Sequence, residues 1–317
     1  MVEHQRNSGS SFDIDWINSI RINRSAIERR ASSIGGRRAV KKEHQIAWML
    51  HAVRCIDLTT LAGDDTKLRV KRLISKAKNP IRQDVLGGLE VSSPISCASV
   101  CVYHNMVSTV SDGLQGSSVG TCAVSTGFPA GQIPHEEKIR QIQLSVSAGA
   151  TEIDIVISRA KVLVGDWKGL FEEVKDFRQA CGPAHLKTIL ATGELATLRQ
   201  VAQASLVCMM AGADFIKTST GKEKVNATLP VGITMVRMIR DYYQQTENIV
   251  GFKPAGGISS AKVAVLWLAM IKEELGEIWM QPKLFRFGAS SLLGDIERQL
   301  EFHLSGRYSA SNRHPVA

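Results

Sequence analysis

Three observations predict an α/β fold for this chain: a TIM (β/α)8 barrel with an N-terminal helical extension. Eight short apolar runs recur after residue 50, at 52–58, 98–102, 120–124, 152–157, 185–190, 214–216, 249–252 and 284–287. An amphipathic stretch with apolar residues at helical spacing follows nearly every run. The chain has 317 residues, and a barrel of roughly 250 residues plus extensions fits that length. Eight strand–helix units favour a closed parallel barrel over the alternative, a doubly wound open sheet.

Taken in order, residues 1–50 precede the first strand. They carry helical patterns at 13–20 and 40–51, divided by Gly35-Gly36-Arg37-Arg38, and read as a cap rather than a separate functional domain. The barrel is expected over 51–305, with helices at 66–77, 135–148, 165–180, 195–211, 232–244 and 260–274. The least regular helix falls between 105 and 118, which is short, polar and rich in Ser and Gly. Residues 306–317 contain Ser, Asn and Pro and read as a flexible C-terminal tail.

Composition narrows the class. A hydrophobic content of 44% supports a large core, and no apolar run approaches the roughly 20 residues of a membrane span. The first ten residues lack the apolar centre of a signal peptide, so a cytoplasmic protein without membrane partners is expected. The six cysteines lie mostly in apolar stretches and read as reduced, buried thiols. Cys97 and Cys101 come nearest to a metal motif, but no second pair or histidine cluster accompanies them, so no metal is expected. The net charge of +9 is ascribed first to solubility and second to steering an anionic phosphate substrate. With no interleaved aromatics or recognisable module, nucleic acid is not expected as a partner. The sequence sets no oligomeric state and leaves room for a homo-oligomer.

The chemistry centres on two lysines. Lys217 and Lys253 each end a short apolar strand and precede a loop of small residues. Burial of an ammonium, with a second ammonium nearby, favours a neutral amine, and a neutral amine attacks carbonyls to give an imine. In a parallel barrel the strand C-termini form the active site, and polar residues converge there from other strands: Asp57 and Thr59, Cys101, Asp154 and Lys187. Singly, each carboxylate or lysine is as well explained by an internal ion-pair network; together the functional explanation leads. Cys101 is expected to line the pocket without reacting. The loops after strands seven and eight, with Gly256-Gly257 and Ser290-Ser291, offer free N–H groups suited to a phosphate. Gly221-Lys222 resembles the end of a nucleotide P-loop, but Glu223 follows where Ser or Thr is required. The loop 126–131 reads as a rim turn.

These residues fall within motifs that resemble the deoxyribose-phosphate aldolase family from about residue 50 to 300. They are Asp57-Leu-Thr-Thr-Leu61, Gly127-Phe-Pro-Ala-Gly131, Glu152-Ile-Asp154, Lys187, Thr192-Gly-Glu194, Asp214-Phe-Ile-Lys-Thr-Ser-Thr-Gly-Lys222, Val225-Asn-Ala-Thr228, Gly251-Phe-Lys-Pro-Ala-Gly-Gly257 and Phe287-Gly-Ala-Ser-Ser-Leu292. The resemblance implies a class I aldolase that needs no cofactor or metal and cleaves 2-deoxy-D-ribose 5-phosphate reversibly. It implies Lys217 as Schiff-base lysine, Lys253 as the neighbouring ammonium and Asp154 in a proton relay. Asp57, Thr59 and Lys187 would support that network, and Thr220, Gly221, Lys222, Gly256, Gly257, Ser290 and Ser291 would bind the substrate. Where the family often has Cys-Val-Tyr-Pro, this chain reads Cys101-Val-Tyr-His104; some members use a C-terminal tyrosine near the substrate, and because the last tyrosine here is Tyr308, not the terminal residue, that role stays open. A phosphosugar isomerase or synthase on the same barrel, and a binding role for the basic N-terminal region, are the competing readings.

Overall fold

A computed structural model describes residues 6–37 and 40–314. Three helices precede the sheet. α1 (Ile14–Ser19) is capped by Asp13, whose carboxylate accepts from Trp16 N at 2.9 Å. α2 (Arg24–Arg37) runs through Gly35 and Gly36, where the sequence suggested a break. Ile27, Ala31 and Ile34, spaced along one helical face, are buried, and that burial outweighs a glycine penalty of about 1 kcal/mol each. α3 (Lys42–Arg54) carries Ala52 and Val53, so β1 (Ile56–Thr59) is shorter than the expected 52–58.

The expected alternation follows. α4 (Lys67–Lys78) and α5 (Gln83–Gly88) lead to β2 (Ser99–Tyr103); α6 (Val107–Leu114) leads to β3 (Gly120–Ser125). α7 (His135–Ser147) precedes β4 (Glu152–Val156); the helix expected at 165–180 is α9 (Trp167–Ala180), and a short additional helix, α8 (Arg159–Val164), comes before it. The break is a left-handed Gly165 followed by Asp166, which caps α9 through Gly169 N at 2.9 Å. β5 (His185–Ile189), α10 (Leu198–Met210), β6 (Phe215–Lys217), α11 (Leu229–Thr246), β7 (Gly251–Lys253), α12 (Ala261–Glu274), β8 (Phe287–Ala289) and α13 (Leu292–Ser305) complete the series.

Every strand pairing is parallel, in the order β7-β6-β5-β4-β3-β2-β1-β8. Bridges at Phe252–Phe285 and Ala255–Gly288 join β7 to the approach of β8 and complete the ring. Phe252 N donates to Leu284 O at 2.8 Å, and Gly288 N to Pro254 O at 2.9 Å. Of the run expected as strand eight, 284–287, Phe287 opens β8, while 284–286 contact β7 as the ring closes.

The extension packs against the outer helices, α1 on α10, α2 on α11 and α12, and α3 on α12 and α13. Asn7 Nδ2 donates to Met209 O and Ala213 O, both at 2.8 Å, and Asn7 N donates to Asp214 at 3.2 Å. Arg30 of α2 pairs with Glu273 and Glu274 at 2.8 and 2.7 Å. Past α13 the chain folds back: Tyr308 stacks on Phe302 at 4.4 Å, and the buried His314 lies 2.6 Å from Glu301. All six cysteines are buried and free. Among the described residues, no helix is long and apolar enough to cross a membrane.

Gly251 sits hard against a core aromatic ring. A Cβ there would lie 2.4 Å from Phe215 Cε1, and Phe215 is itself buried between Lys187 and Arg286. Gly251→Ala is expected to destabilise the protein by about 1–3 kcal/mol through overpacking. Urea denaturation measures this, and an unchanged midpoint would show that the ring moves freely.

Candidate active site

Alternation along a strand sends residues two apart to the same face. Asp57 and Thr59 therefore share a face of β1, and Glu152 and Asp154 share a face of β4. Register places Asp154 beside Lys187 and Lys217 beside Lys253. The result is a closed charge network inside the barrel. Asp154 Oδ2 accepts from Lys217 Nζ at 2.7 Å and from Lys253 Nζ at 2.8 Å, and Lys187 Nζ lies 3.4 Å from Asp154 Oδ1. Asp57 Oδ2 pairs with Lys253 at 2.5 Å and with Lys187 at 3.0 Å. Arg286 clamps the far side, reaching Asp57 Oδ1 at 2.5 Å and Glu152 Oε1 at 2.8 Å, while Lys187 also bonds Glu152.

Four cations thus face three carboxylates. Burial alone would raise the Asp154 pKa, but Lys187, Lys217 and Lys253 outweigh it and hold the carboxyl well below its usual range. Asp57 is held down in the same way by Lys187, Lys253 and Arg286. For Lys253, burial favours the neutral amine, yet Asp154 and Asp57 raise its pKa above the ordinary lysine value, so it stays charged. Among the described residues, Asp154 is the one carboxylate paired with Lys217, and Lys217 is the lysine of the network that reaches the cleft.

That cleft, of about 360 Å³, is lined by Thr59, Lys217, Thr220, Gly221, Lys222, Gly256, Gly257, Ser290 and Ser291, all anticipated from sequence. Asp57, Asp154, Lys187 and Lys253 are fully buried behind it, with Asp154 paired to the cleft-lining Lys217 and Lys253 packed close to the cleft-lining Gly288. Cys101 is fully buried next to Cys122 across the β2–β3 register, and Cys122 Sγ donates to Asp154 Oδ1 at 3.1 Å. The phosphate loops differ from expectation at one point. α12 begins at Ala261, and its first donors are engaged: Ala261 N with Asp295 at 2.7 Å and Val263 N with Ser260. The Gly256-Gly257 segment is therefore a turn, left-handed at both glycines (φ +80° and +79°), not a helix N-terminus. Tyr308 is exposed on Phe302, and its hydroxyl contacts Gln299.

Sequence reasoning missed Arg286, Glu152 and Glu223 as site residues. Arg286 interrupts the apolar Leu284-Phe285-Arg286-Phe287 run, and Glu152 precedes Asp154 by two, so both carried the signal that marked Asp154. Glu223 carried none. Its carboxylate accepts from Thr220 N, Thr220 Oγ1 and Gly221 N in the cleft wall.

Comparison with known proteins matches residues 51–295 to the model of the DeoC/LacD family aldolases. The chain is 54% identical to the deoxyribose-phosphate aldolase of Bos taurus over 320 residues, covering all of both chains. It is 54% identical to that of Homo sapiens over 314 residues, covering 98% of this chain and 99% of the relative. The solved tetrameric deoxyribose phosphate aldolase from Aeropyrum pernix shares the fold, with a TM-score of 0.61 and 22% identity over 83% of this chain and 98% of that one.

The network makes a prediction about Arg286. With their folded pKa values depressed, Asp57 and Glu152 add stability that is present above the unfolded carboxylate range and is lost as pH falls. Arg286→Met leaves both with fewer counter-ions and is expected to cost about 3–5 kcal/mol near neutral pH. The deficit should shrink below about pH 4, where carboxylates protonate in the unfolded chain. Denaturation at several pH values tests this. A deficit constant down to about pH 2 would assign Arg286 to packing instead of charge.

Proposed function

The chain belongs to the DeoC/LacD aldolase family, and we propose that its reaction is the reversible cleavage of 2-deoxy-D-ribose 5-phosphate to D-glyceraldehyde 3-phosphate and acetaldehyde. The observation that carries this reading is Lys217 at the cleft, with its Nζ 2.7 Å from a carboxylate oxygen that also holds the Lys253 ammonium.

In this mechanism Lys217 hands a proton to the network and attacks C1 of the open-chain sugar. The carbinolamine loses water to give a protonated imine. Asp154, acting through a water, then takes the proton of the C3 hydroxyl. The C2–C3 bond breaks, its electrons move into the imine as an enamine, and D-glyceraldehyde 3-phosphate leaves. Proton return to C2 and hydrolysis of the imine release acetaldehyde and restore Lys217. Lys253 remains the fixed ammonium beside this chemistry, while Asp57 and Lys187 hold Asp154 in place. Gly221, Lys222, Gly256, Gly257, Ser290 and Ser291 bind the phosphate, whose binding energy orients the reacting carbons without taking part in bond making. The imine performs the electron-sink role, so this reading needs no metal. It places the enzyme in cytoplasmic deoxyribose phosphate breakdown, a placement supported by the relatives' named activity and by six free thiols.

Borohydride reduction with 2-deoxyribose 5-phosphate in the presence of EDTA, followed by peptide mapping, is expected to leave a reduced adduct on Lys217. Lys217→Ala should stay folded, form no adduct there and lose turnover to background. A folded wild-type protein that forms no adduct would favour an imine-free isomerase or synthase, and undiminished activity in the variant would remove Lys217 from the mechanism.

A further inference from the structure

Glu223 occupies a built anion site. Its carboxylate accepts from Thr220 N at 3.0 and 3.1 Å, from Thr220 Oγ1 at 2.8 Å and from Gly221 N at 3.2 Å. Gly221 is left-handed (φ +85°), a conformation that lets successive N–H groups face one concavity. This concavity belongs to the cleft wall. Thr220, Gly221 and Lys222 line the cleft together with Gly256 and Gly257. A Cβ on Gly221 would come within 3.9 Å of Gly256 Cα, so one phosphate can touch both loops. Glu223 is only partly buried, so its carboxylate can swing into water without losing hydration.

Resting on the phosphosugar reading above, we propose that Glu223 is an internal competitor for the substrate phosphate. It holds the Thr220 and Gly221 donors while the cleft is empty and yields them when a phosphate arrives. Each N–H has one proton to give, and two anions cannot share these donors without strong repulsion. Glu223 thereby sets the affinity of the cleft for phosphorylated sugars and keeps its loop satisfied between turnovers. Simple bracing of the loop by Glu223 predicts the reverse, because loss of the brace would disorder the phosphate-binding backbone.

The test is calorimetric titration of inorganic phosphate onto the full-length protein and onto Glu223→Gln and Glu223→Asp. Steady-state cleavage of 2-deoxyribose 5-phosphate and of unphosphorylated 2-deoxyribose is measured in parallel. Glu223→Gln is expected to bind phosphate roughly tenfold tighter, the equivalent of one charge-assisted hydrogen bond no longer competed for. Its preference for the phosphorylated sugar should rise by a similar factor. Glu223→Asp, too short to reach the same donors, should behave like the Gln variant, which separates occupation of the N–H groups from charge at a distance. Weaker phosphate binding in Glu223→Gln, wild-type behaviour in Glu223→Asp, or no phosphate binding in any form overturns the proposal. Tighter phosphate binding without turnover in any form would uphold the competitor and refute the aldolase reading, so the two are separately exposed to failure.

Discussion

The Asp154 carboxylate is the interaction around which the rest of the site is arranged. It sits at full burial with three lysine ammoniums within 3.4 Å, and Cys122 donates to it as well. An isolated carboxylate or ammonium in the middle of a barrel would cost many kcal/mol and would simply become neutral. Held together, Asp57, Asp154, Lys187 and Lys253 each keep their neighbours charged. Removing a carboxylate therefore strands several buried cations, whereas removing Lys217 leaves Asp154 still paired with Lys187 and Lys253.

That constraint divides the molecule into two working levels. Below, Asp57, Glu152, Lys187 and Arg286 form a buried electrostatic floor flanked by Phe215. Above it, Gly221, Gly256 and Gly257 line an open cleft with backbone donors, because left-handed glycine allows a close approach that a side chain would block. Lys217 connects the two levels. Its amine faces the cleft, and its counter-ion belongs to the floor. Paired charges beneath and an open cleft above suit a reaction that needs preset proton positions and a substrate that must enter and leave.

The parts of this arrangement legible in the chain share one property. Lys217, Lys253, Asp154 and Lys187 are charges inside apolar runs, and such placements are too costly to be incidental. Arg286 and Glu152 obey the same rule, as charges in the apolar runs at 284–287 and 152–157. The boundaries of β1 and β8 were misplaced for another reason: Ala52, Val53, Leu284 and Phe285 are apolar whichever element they join, so hydrophobicity alone cannot distinguish a helix end or a closing bridge from a strand. α2 was hidden by Gly35-Gly36, since tertiary burial of Ile27, Ala31 and Ile34 overrides local propensity.

By itself the sequence determined the repeating strand–helix rhythm, the eight-stranded barrel, the identity of the lysines at the strand ends and the small-residue loops after strands six to eight. These depend on periodicity and on the cost of burying charge, both of which are written along the chain. Only the tertiary structure decided which oxygen each ammonium shares, that Arg286 closes the network from below, that the first donors of α12 are engaged by Asp295 and Ser260, and that Glu223 fills the Thr220–Gly221 anion site. The charge pairings and the Ala261–Asp295 bond join residues tens to hundreds of positions apart, and the Glu223 site depends on the handedness of Gly221. Neither the partner nor the angle of a hydrogen bond is specified until the backbone is in place.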